Sequence, residues 1–188
     1  MRLTILLCIA ATFVTQCAAA KPEKKTPKLD IQVTDWKGVQ KLVQQNKKKV
    51  VVLNIWTTTC GMCIEEFPKF VELQKSIGSK KLTCIAVNCD YDGIEAKPPK
   101  YYEPDVRKFL TKQRANFTHV MLNRAFIDFL EDVDLATTPA FYVYSAGGKL
   151  AKRFDNDDVE KIEDEFKFED VQNLVTQLAA KVVSKAKK

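Results

Sequence analysis

The chain has 188 residues, of which 46% are hydrophobic and 29% are charged, and its formal net charge at pH 7 is +6. This composition predicts a globular protein with one domain and excludes a fibrous or fully disordered chain. The excess lysines lie in runs at 21–28, 47–49 and 181–188 without interleaved aromatic residues. That pattern excludes a nucleic-acid groove that stacks bases on aromatic side chains.

Residues 1–20 have the three parts of a secretory signal peptide. Arg2 is followed by an apolar stretch at 3–14 and by the small-residue run at 18–20. The apolar stretch is shorter than the roughly 20 residues that a transmembrane helix needs. We therefore expect export, to a periplasm or another extracytoplasmic compartment. Lipid attachment at Cys17 is an alternative, although Gln16 stands where an acylation box has a small residue.

The lysine- and proline-rich run at 21–28 predicts a flexible tether, and a single domain is predicted over 29–184, followed by a basic tail at 185–188. The domain begins with a predicted strand at 29–33. Thr34 is predicted to cap a helix over 35–46. Two continuous apolar runs, at 50–56 and 82–87, predict strands buried on both faces. Between them, residues 62–77 predict a helix that ends at Gly78.

The second half of the domain is predicted to contain three helices, three strands and two long connections. Residues 90–104, with one glycine and three prolines, predict a loop, and the acidic stretch 155–170 predicts a solvated linker. The helices are predicted at 105–115, 124–132 and 169–185. The strands are predicted at 117–122, 140–144 and 149–154, the last two as a hairpin. Together these elements predict an α/β three-layer sandwich around a central mixed sheet.

Cys60 and Cys63 stand between the buried strand at 50–56 and the helix at 62–77. A helix N-terminus stabilises a thiolate and lowers its pKa, so Cys60 is predicted to be the attacking thiol and Cys63 the resolving thiol. The alternative is a pair of core thiols or a permanent staple. A staple that closes so short a loop would stabilise the fold very little, which favours the redox interpretation.

The run VVVLNIWTTTCGMCIEEFPKF at 50–70 resembles the active-site segment of the thioredoxin-like superfamily, most closely its exported TlpA/ResA-like thiol-disulfide oxidoreductases. The resemblance covers about 29–184 and implies a thioredoxin-like fold with a helix-strand insertion at 92–136. It also implies a cis peptide bond between Thr138 and Pro139, in a loop that packs against the cysteines. Thr59 departs from the family pattern, which often has Trp before the first cysteine.

The resemblance implies further site residues and partners. Thr138, Pro139, Gly61 and Met62 are expected to bind substrate. Supporting roles are expected for Asn54, Trp56, Glu66 and Pro68. The implied activity is the reduction of protein disulfides by a monomer that uses the Cys60–Cys63 disulfide, needs no other cofactor and receives electrons from a membrane or soluble thiol donor. Reduction is favoured over oxidation because Gly61 and Met62 supply no cation beside Cys60.

Other polar residues leave alternatives open. The resemblance implies an acid just after the strand that follows the active-site helix, so either Asp90 or Asp92 is expected to assist proton removal from Cys63, or both belong to a solvated loop. Cys84 and Cys89 point to opposite faces of one strand and cannot bridge each other. Cys84 is expected in the core, and Cys89 as a buried small residue or a third redox thiol.

His119 is the only histidine and is expected to be a hydrogen-bonded structural residue. A rival function is copper binding, in which His119 would complete a Cu(I) site with Cys60 and Cys63. The two-residue spacer between the cysteines argues against it. The second rival is a binding module whose cysteines have no redox role.

Overall fold

The computed structural model describes residues 29–157 and 165–185. The predicted signal peptide, Cys17, the tether and residues 186–188 of the predicted basic tail lie outside the described residues. Within the described ranges, no helix is both long and apolar enough to cross a membrane.

The described chain forms six strands and five helices. The strands are β1 (Ile31–Thr34), β2 (Val50–Trp56), β3 (Leu82–Asn88), β4 (Thr118–Leu122), β5 (Ala140–Tyr144) and β6 (Leu150–Phe154). The helices are α1 (Trp36–Gln45), α2 (Gly61–Ile77), α3 (Pro99–Lys112), α4 (Phe126–Asp132) and α5 (Phe168–Lys185).

All six strands belong to one mixed sheet, in the order β1-β4-β3-β2-β5-β6. The first four strands in that order are parallel, whereas β5 is antiparallel to both β2 and β6. The carboxyl ends of β2, β3 and β4 therefore meet at one edge of the sheet. In open α/β sheets this edge is where binding sites form.

The sheet is covered by helices on both faces, as the predicted three-layer sandwich requires. Alternate residues of β2 enter two separate apolar clusters, with Val52 in one and Leu53 in the other. One cluster contains residues of α2, α3 and α5, and the other contains residues of α1 and α4. All seven residues of β2 are buried, because a central strand between two helical layers has no solvent-facing side.

The structure corrects the predicted start of α1. Asp35, not Thr34, is the N-cap, and its Oδ1 accepts a hydrogen bond of 2.8 Å from the backbone N–H of Gly38. Thr34 is instead the last residue of β1 and pairs with Leu122 of β4. Both residue types are good caps, and the strand pairing decides between them.

Two predicted connections are also wrong in part. The loop predicted at 90–104 ends at Pro98, because Pro99 occupies the first turn of α3, where a missing N–H costs nothing. The acidic stretch is not solvated throughout its described part. Phe168 is only 1% exposed, and its ring lies 5.4 Å from that of Phe141.

The packing of α1 against β1 can be tested by a substitution at Gly38. A Cβ atom on Gly38 would lie 2.0 Å from Thr34 Oγ1 and 3.0 Å from Thr34 Cβ. Gly-to-Ala changes inside helices ordinarily stabilise a protein, but here we expect Gly38→Ala to lower the free energy of unfolding by about 1–3 kcal/mol. The free energy of unfolding is measured by urea unfolding of Gly38→Ala, of Thr34→Ala and of the double variant. The double variant is expected to regain the loss, and a Gly38→Ala protein more stable than the parent would contradict the packing.

Candidate active site

Cys60 and Cys63 form a disulfide at the start of α2, with their Cα atoms 5.2 Å apart. Cys60 is the N-cap, and its Sγ accepts a hydrogen bond of 3.1 Å from the backbone N–H of Cys63. The same N–H and the positive end of the helix dipole would stabilise a thiolate on Cys60. Cys60 is half-buried and Cys63 is 1% exposed, so an incoming sulfur reaches Cys60 first.

The turn before Cys60 is held by the end of β3. Asp90 accepts two hydrogen bonds of 2.7 Å from Thr58, one from the backbone N–H and one from the hydroxyl. The hydroxyls of Thr57 and Thr59 lie 3.1 Å apart within the same turn. Sequence reasoning missed Thr58, because its partner lies 32 residues away and no local motif marks the pair.

The loop before β5 lies beside the disulfide. The Thr138–Pro139 peptide bond is cis, and the Thr138 carbonyl oxygen lies 3.4 Å from Cys60 Sγ. Ala140, the first residue of β5, pairs with Ile55 of β2, which brings this loop to the edge where α2 begins. Pro139 is buried, and Thr138 is half-buried.

The remaining residues predicted to bind substrate lie at the surface. Met62 is 47% exposed, and a Cβ atom on the exposed Gly61 would have no heavy atom within 4 Å. Thr59 is exposed as well. The surface beside Cys60 is therefore open on the side of the helix start.

Three of the predicted supporting residues belong to the two elements that flank the cysteines, Asn54 and Trp56 to β2 and Glu66 to α2. Asn54 and Trp56 are 1% and 0% exposed, and the Trp56 ring lies 4.9 Å from that of Phe67. Within the described residues, Asn54 Oδ1, Trp56 Nε1 and Glu66 Oε2 are buried without a hydrogen-bond partner. Pro68, the fourth, lies inside α2 on its exposed side.

Burial raises the pKa of Glu66, and this is the largest influence on that carboxyl. Lys69 acts in the opposite direction, whereas Glu169 and Glu65 raise the pKa further. Glu66 follows Cys63 by three residues on α2, a spacing at which side chains are neighbours on a helix. A half-buried carboxyl with a raised pKa beside a resolving thiol is a candidate proton acceptor.

The two acids after β3 have different partners. Asp90 holds the active-site turn, as described above. Asp92 accepts a hydrogen bond of 2.6 Å from the Tyr102 hydroxyl and one of 3.1 Å from the N–H of Ile94. The Tyr102 bond is the main cause of the lowered pKa of Asp92, and it raises the pKa of Tyr102 to about 12. Of the two, Asp90 is the acid in contact with the site.

The other two cysteines of the domain are sealed on opposite faces of the sheet. Cys84 and Cys89 are each 1% exposed, and they belong to different apolar clusters. Burial raises the pKa of both thiols. Cys84 is a core thiol, as predicted, and Cys89 is the buried small residue rather than a third redox thiol.

His119 is a buried structural residue, as predicted, with Nε2 3.0 Å from the carbonyl oxygen of Ala115. Burial lowers its pKa. In residues 29–157 and 165–185, no three His, Cys, Asp or Glu side chains form a group suited to a metal ion. His119 therefore does not complete a site with Cys60 and Cys63.

Comparisons with known proteins agree with this geometry. The Redoxin family model matches residues 21–175. The thioredoxin domain of a thiol-disulfide oxidoreductase from Bacteroides vulgatus is 20% identical, with a TM-score of 0.53 over 72% of this chain and 83% of that one. A thiol:disulfide interchange protein from a Bacteroides species is also 20% identical, with a TM-score of 0.51 over 72% of this chain and 76% of that one. Both likenesses show the thioredoxin-like fold. A search among proteins of curated function found no match.

The burial of the thiols predicts which of them react. In a reduced protein spanning residues 21–188, we expect native alkylation at Cys60 first, because Cys63, Cys84 and Cys89 are each only 1% exposed, with Cys84 and Cys89 slower than Cys60 by at least about a hundredfold. Peptide mapping by mass spectrometry, before and after denaturation, measures this. The Cys60→Ser/Cys63→Ser double variant is the control and should take up no label while folded. Labelling of Cys89 as fast as Cys60 would contradict the burial.

Proposed function

Because this chain belongs to the Redoxin family, we propose that it is an exported thiol-disulfide oxidoreductase that reduces protein disulfides through Cys60 and Cys63. The observation that carries the proposal is the disulfide at the helix start, with the sulfur of Cys60 held by the N–H of Cys63. Export is supported by the signal-like sequence of residues 1–20.

The reaction has two exchange steps. In the reduced protein, the Cys60 thiolate attacks one sulfur of a substrate disulfide, forms a mixed disulfide and releases the other substrate sulfur as a thiolate. Cys63 then loses its proton and attacks Cys60 Sγ, which closes the Cys60–Cys63 disulfide and releases the second substrate thiolate. The substrate gains two electrons, and a thiol donor must return two electrons to the protein for the next cycle.

The surface around Cys60 supports the substrate-binding roles of Gly61, Met62, Thr138 and Pro139. The open helix start admits a polypeptide on one side of the sulfur. On the other side, the Thr138 backbone is within contact distance of Cys60, where it can pair with an extended substrate chain. The role of Glu66 is to accept the proton of Cys63 in the second step, since it is half-buried, follows Cys63 by three residues on α2 and has a pKa raised by burial.

The direction of electron flow is tested by the reduction potential of the Cys60–Cys63 pair. Gly61 and Met62 add no cation, so the thiolate has only the helix start to stabilise it, and we expect a potential nearer about −270 mV than about −120 mV. Equilibration in glutathione buffers, with Cys84 and Cys89 changed to Ala, measures it. Cys60→Ser should abolish reduction of a model protein disulfide. A Cys60→Ser protein that reduces the model protein disulfide at the parent rate would contradict the proposed function.

The proton step is tested by Glu66→Gln. Deprotonation of Glu66 creates the acceptor for the Cys63 proton, so the rate of closing the disulfide should rise with pH through the raised pKa of Glu66. Glu66→Gln should lose this rise and close the disulfide roughly a hundredfold more slowly near pH 7.

Stability gives a second readout of the same carboxyl. A carboxyl whose pKa is raised on folding favours the folded state below its ordinary pKa, and this contribution is lost as pH rises through the folded value. The parent should therefore lose stability relative to Glu66→Gln between acid and neutral pH. Glu65→Gln, its exposed neighbour, is the matched control. If Glu66→Gln closes the disulfide with the same pH dependence as the parent, Glu66 is not the acceptor of the Cys63 proton.

A further inference from the structure

A groove lies beside the Thr138–Pro139 loop, between α4 and the residues that follow it. Its volume is about 500 Å³, and its apolar lining includes Ile127, Leu130 and Leu135. Ile127 is 62% exposed, the highest value among the large hydrophobic side chains that the structure describes as exposed. Leu130 and Leu135 are 7% and 5% exposed and form its floor, so an exposed apolar side chain stands beside a concave apolar surface that a ligand can fill.

The groove lies a few residues along the chain from the contact with the reactive sulfur. Its lining extends to Ala136, two residues before Thr138, whose carbonyl oxygen lies 3.4 Å from Cys60 Sγ. Two residues of extended chain span about 7 Å, so a polypeptide engaged at Cys60 reaches the groove within a few residues. The start of α4 is fixed to the β3–α3 connection, because the Tyr91 carbonyl accepts a 2.7 Å hydrogen bond from the N–H of Phe126, next to Ile127.

The far wall of the groove is held in place by Arg153 of β6. Its guanidinium donates to the carbonyl oxygens of Val133 and Asp134, and it forms ion pairs with Asp155 and Asp157. The groove is thus formed before any ligand arrives, which reduces the ordering cost of binding.

The rim of the groove is acidic. Glu131, Asp134 and Asp157 belong to its lining, and no lysine or arginine does. Asp157 is paired with Arg153 at 3.5 Å, whereas Glu131 and Asp134 are exposed and stand outside the ion pairs of the described residues. Residues 158–164 follow the groove in sequence and contain four acidic residues together with Lys161 and Ile162, so this segment is replaced in one arm of the test below.

We propose that this groove selects substrates, by binding an apolar side chain next to a lysine or arginine in the polypeptide that flanks the substrate's disulfide. The inference rests on the proposed function, since it names the substrate class of the same site. The apolar floor buries the hydrophobic side chain, and Glu131 and Asp134 attract the cation at the rim.

The test compares two peptide disulfides and a small aromatic disulfide as substrates of the full protein. One peptide has Leu and Lys about three residues from the reactive cysteine, and the other has Ser at both positions. We expect kcat/KM about tenfold higher for the Leu-Lys peptide. Ile127→Ser should remove most of this difference and leave the rate with the small disulfide unchanged.

Two further variants sharpen the test. Leu150→Ser is the matched control, because Leu150 is 47% exposed on β6 and pairs with Tyr144 at the opposite end of the sheet. It should leave all three rates unchanged. Glu131→Gln/Asp134→Asn should abolish only the preference for Lys, which in the parent should weaken as salt is raised. If Ile127→Ser does not fold, the Glu131→Gln/Asp134→Asn variant still tests the groove through the preference for Lys.

The outcomes separate the two proposals. Equal rates with both peptides, or an equal loss with the small disulfide in Ile127→Ser, would overturn the groove proposal while the oxidoreductase stands. A dimer that Ile127→Ser dissociates would show that a second copy fills the groove. A tenfold gain with the Leu-Lys peptide on replacing 158–164 by a Gly-Ser linker would show that this segment fills it. A parent protein that reduces none of the three substrates would overturn the proposed function itself.

Discussion

Two hydrogen bonds from Thr58 to the carboxylate of Asp90 hold the turn on which the site depends. They join the end of β3 to the connection between β2 and α2. Hydrogen bonds to a charged acceptor are worth about 1.5–3 kcal/mol each, roughly twice a neutral pair. This turn determines where α2 begins. It therefore places Cys60 so that its Sγ accepts a hydrogen bond from the N–H of Cys63. The chemistry of the dithiol follows from that position.

The central part of the fold could be predicted from the sequence, because burial on both faces leaves a plain signal. The bounds of β2 and β5 match their apolar runs, and Gly78 ends α2 as predicted. The cysteine pair was recognisable because its spacing and its place before a helix are local. Local rules failed where two suitable residues compete or where composition misleads. Asp35 rather than Thr34 caps α1, and Phe168 enters the core from an acidic stretch. The Thr58 contact with Asp90 and the groove beside α4 depend on distant segments, so no local pattern shows them.

Burial distinguishes one sulfur of the domain from the other three. Cys63, Cys84 and Cys89 are each 1% exposed, and Cys60 at the helix start is half-buried. The same end of the sheet concentrates buried polar atoms that lack partners among the described residues, including Asn54 Oδ1, Asn88 Nδ2 and Glu66 Oε2. Such atoms are rare and costly in folded proteins, and they gather where function requires them.

The convergence of β2, β3 and β4 at one edge brings different segments of the chain together. The cysteines belong to the chain that leaves β2, whereas the Thr138–Pro139 loop and all of the groove lining except Asp157 belong to residues 123–139, between β4 and β5. If the groove selects substrates as proposed, mutations in that connection would change which polypeptides are accepted without altering the helix that holds the dithiol. Redox chemistry and choice of client would then depend on separate segments. Transplanting residues 123–136 together with the Arg153–Asp157 segment into another protein of this fold would transfer client preference while the recipient kept its own potential.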